Sequence, residues 1–251
     1  MKLHCEQIGA GQPVLVLLHG LSANGAVWFP LAEKLRFQGK ILIPDLRGHG
    51  RSPHAKHYGY GQHAADVAEL LSPQDSIFIV GHSMGGAVGM TLASGWFGVE
   101  VKAIVAFSTK TDFSREELGK LATLARAPVR WLETRALAAE RFLRVTGLEG
   151  LLGADAPAVA AGITELQGRY RLSADPATVT AAGPPFEQIV AAARSKITLA
   201  CGSNDPMVKI SELRQLAKDA VELPGLGHNL HVEDPQALLR LMGSTLFETS
   251  P

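Results

Sequence analysis

The sequence predicts an α/β protein, a mostly parallel central sheet flanked by helices, with a helical segment inserted late in the chain. Three observations lead there. Short, wholly apolar runs such as Val14–Leu18 and Ile77–Val80 recur, the pattern of strands covered on both faces. Helical stretches separate them, as crossovers do in a parallel sheet. Polar, glycine-rich loops follow the runs, at the strand ends where such sheets place their sites.

In order, Leu3–Ile8 is a weak strand ended by Gly9-Ala10-Gly11, and Val14–Leu18 is a continuous apolar strand. Trp28–Phe37 is helical in character, Ile41–Pro44 is the next strand, and Ala64–Leu71 is a helix. Ile77–Val80 and Val101–Phe107 continue the sheet, with a helix at Ala87–Ala93 between them. From Arg115 to Ala182 the composition turns to Ala, Leu, Arg and Glu, interrupted by Pro128, Gly147, Gly153, Pro157 and Pro176. This stretch predicts three or four short amphipathic helices and no strand, and one crossover rarely needs such length. Residues 113–184 are therefore expected as a helical cap inserted into a core made of 1–112 and 185–251. Ile197–Gly202 and Ala220–Pro224 add the last strands, separated by a helix at Ser211–Lys218.

At 251 residues, the chain can bury a large core without disulfides or metals. Lys+Arg and Asp+Glu both total 24, which removes a bulk electrostatic case for nucleic acid or an anionic membrane. The expected partner is a small-molecule substrate; oligomeric state leaves no signal. Cys5 and Cys201, the two cysteines, lack metal-ligand spacing and are expected as buried small hydrophobes in a reducing cytoplasm. The start carries no apolar leader, and no apolar run has the length of a membrane span. His49, His54, His57 and His63 cluster in a polar loop and are expected on its solvated surface. No H-E-x-x-H and no Gly-x-Gly-x-x-Gly after the first strand occurs, so neither a metal nor a nucleotide cofactor is expected.

The chemistry concentrates at Gly81-His82-Ser83-Met84-Gly85-Gly86, directly after the run Ile77–Val80. This is G-x-S-x-G between a strand and a helix, the turn that exposes a serine at the top of a sheet. Asp205, after the strand Ile197–Gly202, and His228, after the strand Ala220–Pro224, complete the chain order serine, acid, histidine that accompanies this turn. Asp112 also follows a strand end and is the alternative acid.

These motifs resemble the α/β-hydrolase superfamily over almost the whole chain. They are His19-Gly20, Asp45-x-Arg47-Gly48-x-Gly50-x-Ser52, Gly81-x-Ser83-x-Gly85-Gly86, Gly202-x-x-Asp205, and Gly227-His228 with Glu233 and Pro235. The resemblance implies Ser83 as nucleophile, His228 as base and Asp205 as the carboxylate that orients it. It also implies an oxyanion hole from the backbone N–H groups of Met84 and of Leu21, the residue after His19-Gly20. His19 and His82 are expected to brace the loops around the nucleophile, His231 to be structural, and Asp234 to cap the last helix ahead of Pro235. Asp45, Arg47 and Ser52 are expected to stabilise their loop.

A serine in the turn argues against the epoxide hydrolase and haloalkane dehalogenase branches, which place aspartate there. Hydrolysis of an ester, lactone or thioester is the leading reading. The alternative is carbon–carbon hydrolysis of carboxylate-bearing ring-fission products, for which the arginines of the insertion, Arg126, Arg130, Arg135, Arg141, Arg144, Arg169 and Arg171, are candidates. A small-molecule receptor on the same fold is a third reading. Trp28, Phe107, Trp131, Met207 and Val208 are candidates for the pocket wall, each equally placed to be core.

Overall fold

The computed structural model describes residues 1–246; positions 247–251 of the expected core segment lie outside the described residues. Strands β1 (Cys5–Gly9) and β2 (Val14–Leu18) lead to a 3-10 turn at Gly25–Trp28, the short helix α1 (Phe29–Ala32) and β3 (Lys40–Pro44). Next come α2 (Tyr60–Ala68), β4 (Ile77–His82), α3 (Met84–Leu92) and β5 (Val101–Phe107). The following segment holds α4 (Arg115–Ala125), α5 (Arg135–Val145), α6 (Pro157–Ala161), β6 (Ile163–Leu166), β7 (Arg169–Leu172) and a 3-10 turn at Pro176–Thr180. Then α7 (Phe186–Ala192), β8 (Lys196–Gly202), α8 (Ile210–Leu216), β9 (Val221–Leu223), α9 (Leu230–Glu233) and α10 (Pro235–Leu246) complete the described chain.

Among the described residues, seven strands form one sheet in the order β1-β3-β2-β4-β5-β8-β9. Only β1 runs antiparallel to its neighbour; every other pairing is parallel, as the apolar runs predict. Leu18 pairs with Gly81, His82 with Phe107, and Phe107 with Ala200. The carboxyl ends of β2, β4, β5 and β8 are therefore level, and His19, Ser83, Ser108 and the loop to Asp205 leave the sheet along one edge.

The core follows the period-two alternation of the strands. In β2, Val14, Val16 and Leu18 pack with Val67, Val88 and Met90 on one face. Leu15 and Leu17 pack with Trp28, Leu31, Leu238 and Met242 on the other. A register slip of one residue would exchange the two faces, so the alternation pins the ladder on which the site stands.

The insertion differs from the all-helical expectation: β6 and β7 form an antiparallel hairpin. Gln167 and Gly168 both have positive φ, 51° and 74°, the two-residue turn whose twist suits a hairpin. Glutamine is uncommon at that backbone, which hides the turn in the sequence. Helix α4 starts with a Ser114–Glu117 capping box but buries none of its residues, whereas α5 buries Ala138, Ala139 and Phe142. Side chains tie the insertion to the sheet: Asn24 Nδ2 donates to Ala158 O (2.8 Å), and Tyr58 O–H donates to Asp175 Oδ2 (2.6 Å). Asn229 Nδ2 donates to Gly147 O (3.0 Å) and Thr146 O (3.3 Å).

Candidate active site

Ser83 sits between β4 and α3 with φ 52° and ψ −118°, a strained conformation for a residue with a side chain. Its neighbours are small because the turn leaves no room. A Cβ on Gly81 would meet Gly85 O at 2.5 Å, one on Gly85 would meet Leu18 O at 2.4 Å, and one on Gly86 would meet Thr109 Oγ1 at 2.1 Å. The strain is offset by bonds to the next strand, with Ser83 N–H donating to Phe107 O (2.9 Å) and Thr109 O–H donating to Ser83 O (3.1 Å). Because the clash at Gly85 is with backbone of β2, Gly85→Ala is expected to cost about 3 kcal/mol or more. Urea unfolding measures this, and a midpoint equal to the wild type would refute the packing argument.

Asp205 lies three residues beyond β8 with its side chain fully enclosed. Its Oδ1 accepts from Met207 N–H (2.8 Å) and Val208 N–H (3.2 Å), and His228 Nδ1 lies 3.0 Å from Oδ2 and 3.1 Å from Oδ1. Burial alone would raise this carboxyl, but the His228 hydrogen bond and charge, the Met207 N–H and the Ser108 hydroxyl outweigh it and hold it below the ordinary carboxylate value. An ionised Asp205 requires the proton on His228 Nδ1, which leaves the Nε2 lone pair available. The His228 backbone is fixed as well. Gly227 N–H and Asn229 N–H both donate to the Glu233 carboxylate, and His82 Nε2 donates to His228 O (3.0 Å).

Ser83 and His228 open onto one cavity of about 960 Å³, whose wall includes Leu21, Ser22, Met84 and Met207. Met84 occupies the first position of α3, where no carbonyl of its own helix can reach its N–H. Leu21 precedes Ser22, itself at φ 63°. Leu118, Leu121 and Ala122 of α4 and residues 179–186 form the side contributed by and following the insertion.

Of the five side chains proposed for the wall, the structure brings Met207 there and not the others. Trp28 and Phe107 are fully buried in the core beneath, stacked edge to face at 6.0 Å. Val208 is buried against the opposite face of the sheet. Trp131 lies under the Arg171 guanidinium, 5.9 Å from its ring centre, beside the β6–β7 hairpin. Large apolar side chains near strand ends are claimed by the core first, because burial there removes more surface from water. Val208 contributes instead through its N–H on Asp205, and Met207 does so in addition to lining the wall.

The supporting residues divide in the same way. Asp112 lies on the cavity wall, but its carboxylate accepts from Phe113 N–H (2.8 Å), and Asp205 carries the bond to His228. His19 bridges two loops: Nε2 accepts from Leu46 N–H (2.9 Å), so Nδ1 carries the proton and donates to Gly20 O (2.8 Å). Asp45 accepts from Gly25 N–H (2.6 Å) and Arg51 N–H (2.8 Å), Ser52 O–H donates to Asp45 O (2.5 Å), and Arg47 pairs with Asp66 (2.6 Å). His231 is buried against Trp28 and His82, with ring centres 4.5 and 4.7 Å away. Asp234 caps α10 through Ala237 N–H (3.0 Å). His54 and His57 are exposed as expected, but His49 and His63 are fully buried. His63 lies on α2 and not in the loop, the loop that carries His49 packs against it with ring centres 6.4 Å apart, and desolvation lowers both to a pKa of about 3. Cys201 is buried and Cys5 half-buried, both free.

Glu233 was visible only as a letter in a pattern. Its structural role, bracketing His228 from both sides, was signalled by nothing but its spacing.

A parallel sheet that delivers a serine on a strained turn, with a carboxylate and a histidine hydrogen-bonded beyond later strands, defines an α/β protein of hydrolase architecture. The family's sequence model matches residues 15–241, and the chain belongs to the alpha/beta hydrolase family. Lipase LipV of Mycobacterium tuberculosis is 41% identical over 97 residues, which are 38% of this chain and 37% of LipV. Pimeloyl-(acyl-carrier protein) methyl ester esterase of Vibrio vulnificus is 38% identical over 97 residues, 36% of this chain and 34% of the esterase. The similarity thus spans about a third of the length of each of these relatives. Among solved structures, E-2-(acetamidomethylene)succinate hydrolase superposes with a TM-score of 0.83 at 22% identity, covering 98% of this chain and 95% of the other. An esterase from Mycobacterium tuberculosis superposes with a TM-score of 0.75 at 20% identity, covering 98% and 92%. Both superpositions establish the fold. No helix among the described residues is long and apolar enough to cross a membrane.

Proposed function

We propose that this protein is a cytoplasmic serine hydrolase that cleaves a small or medium carboxylic ester, lactone or thioester without a cofactor. One observation carries the reading: Ser83 on its left-handed backbone and His228 with Nδ1 engaged by Asp205 face the same cavity. His228 Nε2 takes the Ser83 hydroxyl proton as Oγ attacks the acyl carbon, and the N–H groups of Met84 and Leu21 receive the oxyanion. Collapse expels the alcohol, which leaves with the proton from His228. Water then attacks the acyl-serine, gives its proton to His228, and releases the acid with Ser83 restored. The insertion acts as a cap, its apolar residues Leu118 and Leu121 supplying a wall for the acyl or alcohol part. The relatives named for lipase and methyl ester esterase activity agree with this class.

Carbon–carbon hydrolysis is the second reading, favoured by Arg144 on the cavity wall, where a substrate carboxylate would sit. That guanidinium is already 3.4 Å from Glu140, which weakens the case. Steady-state hydrolysis of p-nitrophenyl esters from acetate to decanoate, with wild type and Ser83→Ala in parallel, separates the two. Turnover that peaks at one chain length and falls roughly 10⁵-fold or more in the variant is expected. Turnover no better than the variant would sink the esterase reading and turn attention to ring-fission products.

A further inference from the structure

The charged side chains on the wall of the cavity around Ser83 and His228 are already engaged by the protein. Lys110 pairs with Glu117, and Arg144 lies 3.4 Å from Glu140. Asp112 accepts from Phe113 N–H, and Glu233 accepts from Gly227 N–H and Asn229 N–H. Three wall threonines are committed in the same way: Thr109, Thr146 and Thr180 donate their hydroxyl protons to the carbonyls of Ser83, Phe142 and Ala177. A polar group whose donors and acceptors are spent within the chain has little left for a ligand.

Ser22 and Tyr60 differ. Both line the cavity and are half-buried, and neither hydroxyl has a hydrogen-bond partner among the described residues. Neither oxygen is sealed inside the protein, so each can meet a ligand. Thr111 also keeps an uncommitted hydroxyl, but it adjoins the exposed Asp112, where bulk water serves it. The backbone holds the other two in place. Ser22 follows Leu21 on the loop that leaves β2 and has φ 63°, a conformation that costs a serine free energy. Tyr60 opens α2; its N–H donates to Ala182 O (2.8 Å), and its ring packs so closely on Gly183 that an added Cβ there would come within 2.7 Å of Cδ2.

We propose that the Ser22 and Tyr60 hydroxyls form a subsite for a neutral oxygen of the substrate, so that the natural ester carries a hydroxyl, keto or ether oxygen near its scissile carbonyl instead of a plain alkyl chain. This deepens the hydrolase reading given above and rests on it. Ser22 sets the position: it is one residue beyond the Leu21 N–H assigned to the oxyanion, so the second oxygen lies within a few atoms of the first. A carboxylate is the poorer fit, because the cations on the wall already have acidic partners. An alkyl chain in the same place strips water from two hydroxyls and gives them no partner in return, and a site built to hydrogen-bond a group discriminates against the analogue that lacks it.

The test compares two isosteric ester pairs, p-nitrophenyl methoxyacetate with the butyrate and p-nitrophenyl β-hydroxybutyrate with the isovalerate, on full-length wild type, Ser22→Ala and Tyr60→Phe. The readout is the ratio of kcat/KM within each pair, oxygenated ester over alkyl ester. Intrinsic reactivity cancels when that ratio is compared between proteins, and so does any general loss of activity in a variant. The wild-type ratio is expected to exceed that of each variant roughly threefold to tenfold. A ratio unchanged from wild type in either variant overturns the subsite. If Ser22→Ala fails to fold, Tyr60→Phe carries the test. Binding of methyl methoxyacetate and methyl butyrate to Ser83→Ala, with and without Tyr60→Phe, is followed in parallel by chemical-shift titration and needs no turnover. A preference for the ether that disappears with the phenol supports the subsite even if the wild type hydrolyses no ester, a result that would remove the hydrolase reading alone. The same preference in both proteins, or none in either, overturns the subsite and leaves the hydrolase reading standing.

Discussion

Asp205→Asn is expected to lower kcat roughly 10⁴-fold while leaving the protein folded. The asparagine keeps a carbonyl oxygen for the N–H groups of Met207 and Val208, so the loop after β8 retains its shape. Toward His228 it presents an amide that donates where the carboxylate accepted. The imidazole must then turn an unprotonated Nδ1 to the amide and carry its proton on Nε2, where it cannot take one from Ser83. Asp112→Asn, by contrast, is expected to change kcat by less than about twofold, since that carboxylate caps Phe113 N–H instead of touching His228. The paired measurement is kcat on one ester, with circular dichroism to verify folding. A larger loss in Asp112→Asn than in Asp205→Asn would transfer the role of the acid to the end of β5.

The second large effect concerns stability in mild acid. His19, His49, His63, His82 and His231 are all buried, and desolvation lowers each of them, to a pKa of about 4 for His19, about 3 for His49, His63 and His231, and well below the ordinary value for His82. The unfolded chain binds protons at these positions below about pH 6.5, and the folded chain does not until the pH approaches those lower values. Their contribution is therefore intact above pH 6.5 and is lost as pH falls toward 4. Each histidine costs about 1.4 kcal/mol at pH 5.5, so the five together cost roughly 7 kcal/mol. A domain with about 5–15 kcal/mol of total stability is brought near its limit by that amount. Thermal melts between pH 7.5 and 5.5 are expected to show a steep fall in midpoint. His63→Phe, at a position where neither ring nitrogen has a hydrogen-bond partner among the described residues, is expected to remove about 1.4 kcal/mol of the loss of stability between pH 7.5 and 5.5. A midpoint constant across this range would contradict the neutral, buried state of the set.

The strands were the most legible part of the fold. Val14–Leu18 and Val101–Phe107 coincide with the expected bounds, because residues buried on both faces leave an unbroken apolar signature. Ser83, Asp205 and His228 were legible because each needs fixed neighbours: glycines where a Cβ would strike backbone, and a strand end to set the direction. The β6–β7 hairpin was hidden, since its strands alternate apolar residues with charge no differently from a surface helix and its turn uses a glutamine. The burial of His49 and His63 was hidden for another reason. The loop of His49 is polar by composition, and it and the face of α2 that carries His63 become interior only through long-range contacts, such as Asp175 N–H donating to Gly48 O (2.8 Å). The cavity wall was least legible, because side chains that line a wall and side chains that fill a core obey the same preference for apolar surroundings.

The amide of Asn229 reaches from the residue beside His228 to the carbonyls of Thr146 and Gly147, and those two residues face the cavity. Under the proposed function, the part of the molecule that would measure the substrate and the part that would move its proton are thereby geared to each other. Replacing the insertion wholesale, to give this scaffold a new substrate range, disengages that gear. A chimera of that kind inherits the appetite of the donor and loses the tempo of the host, unless the graft brings carbonyls for Asn229 to hold.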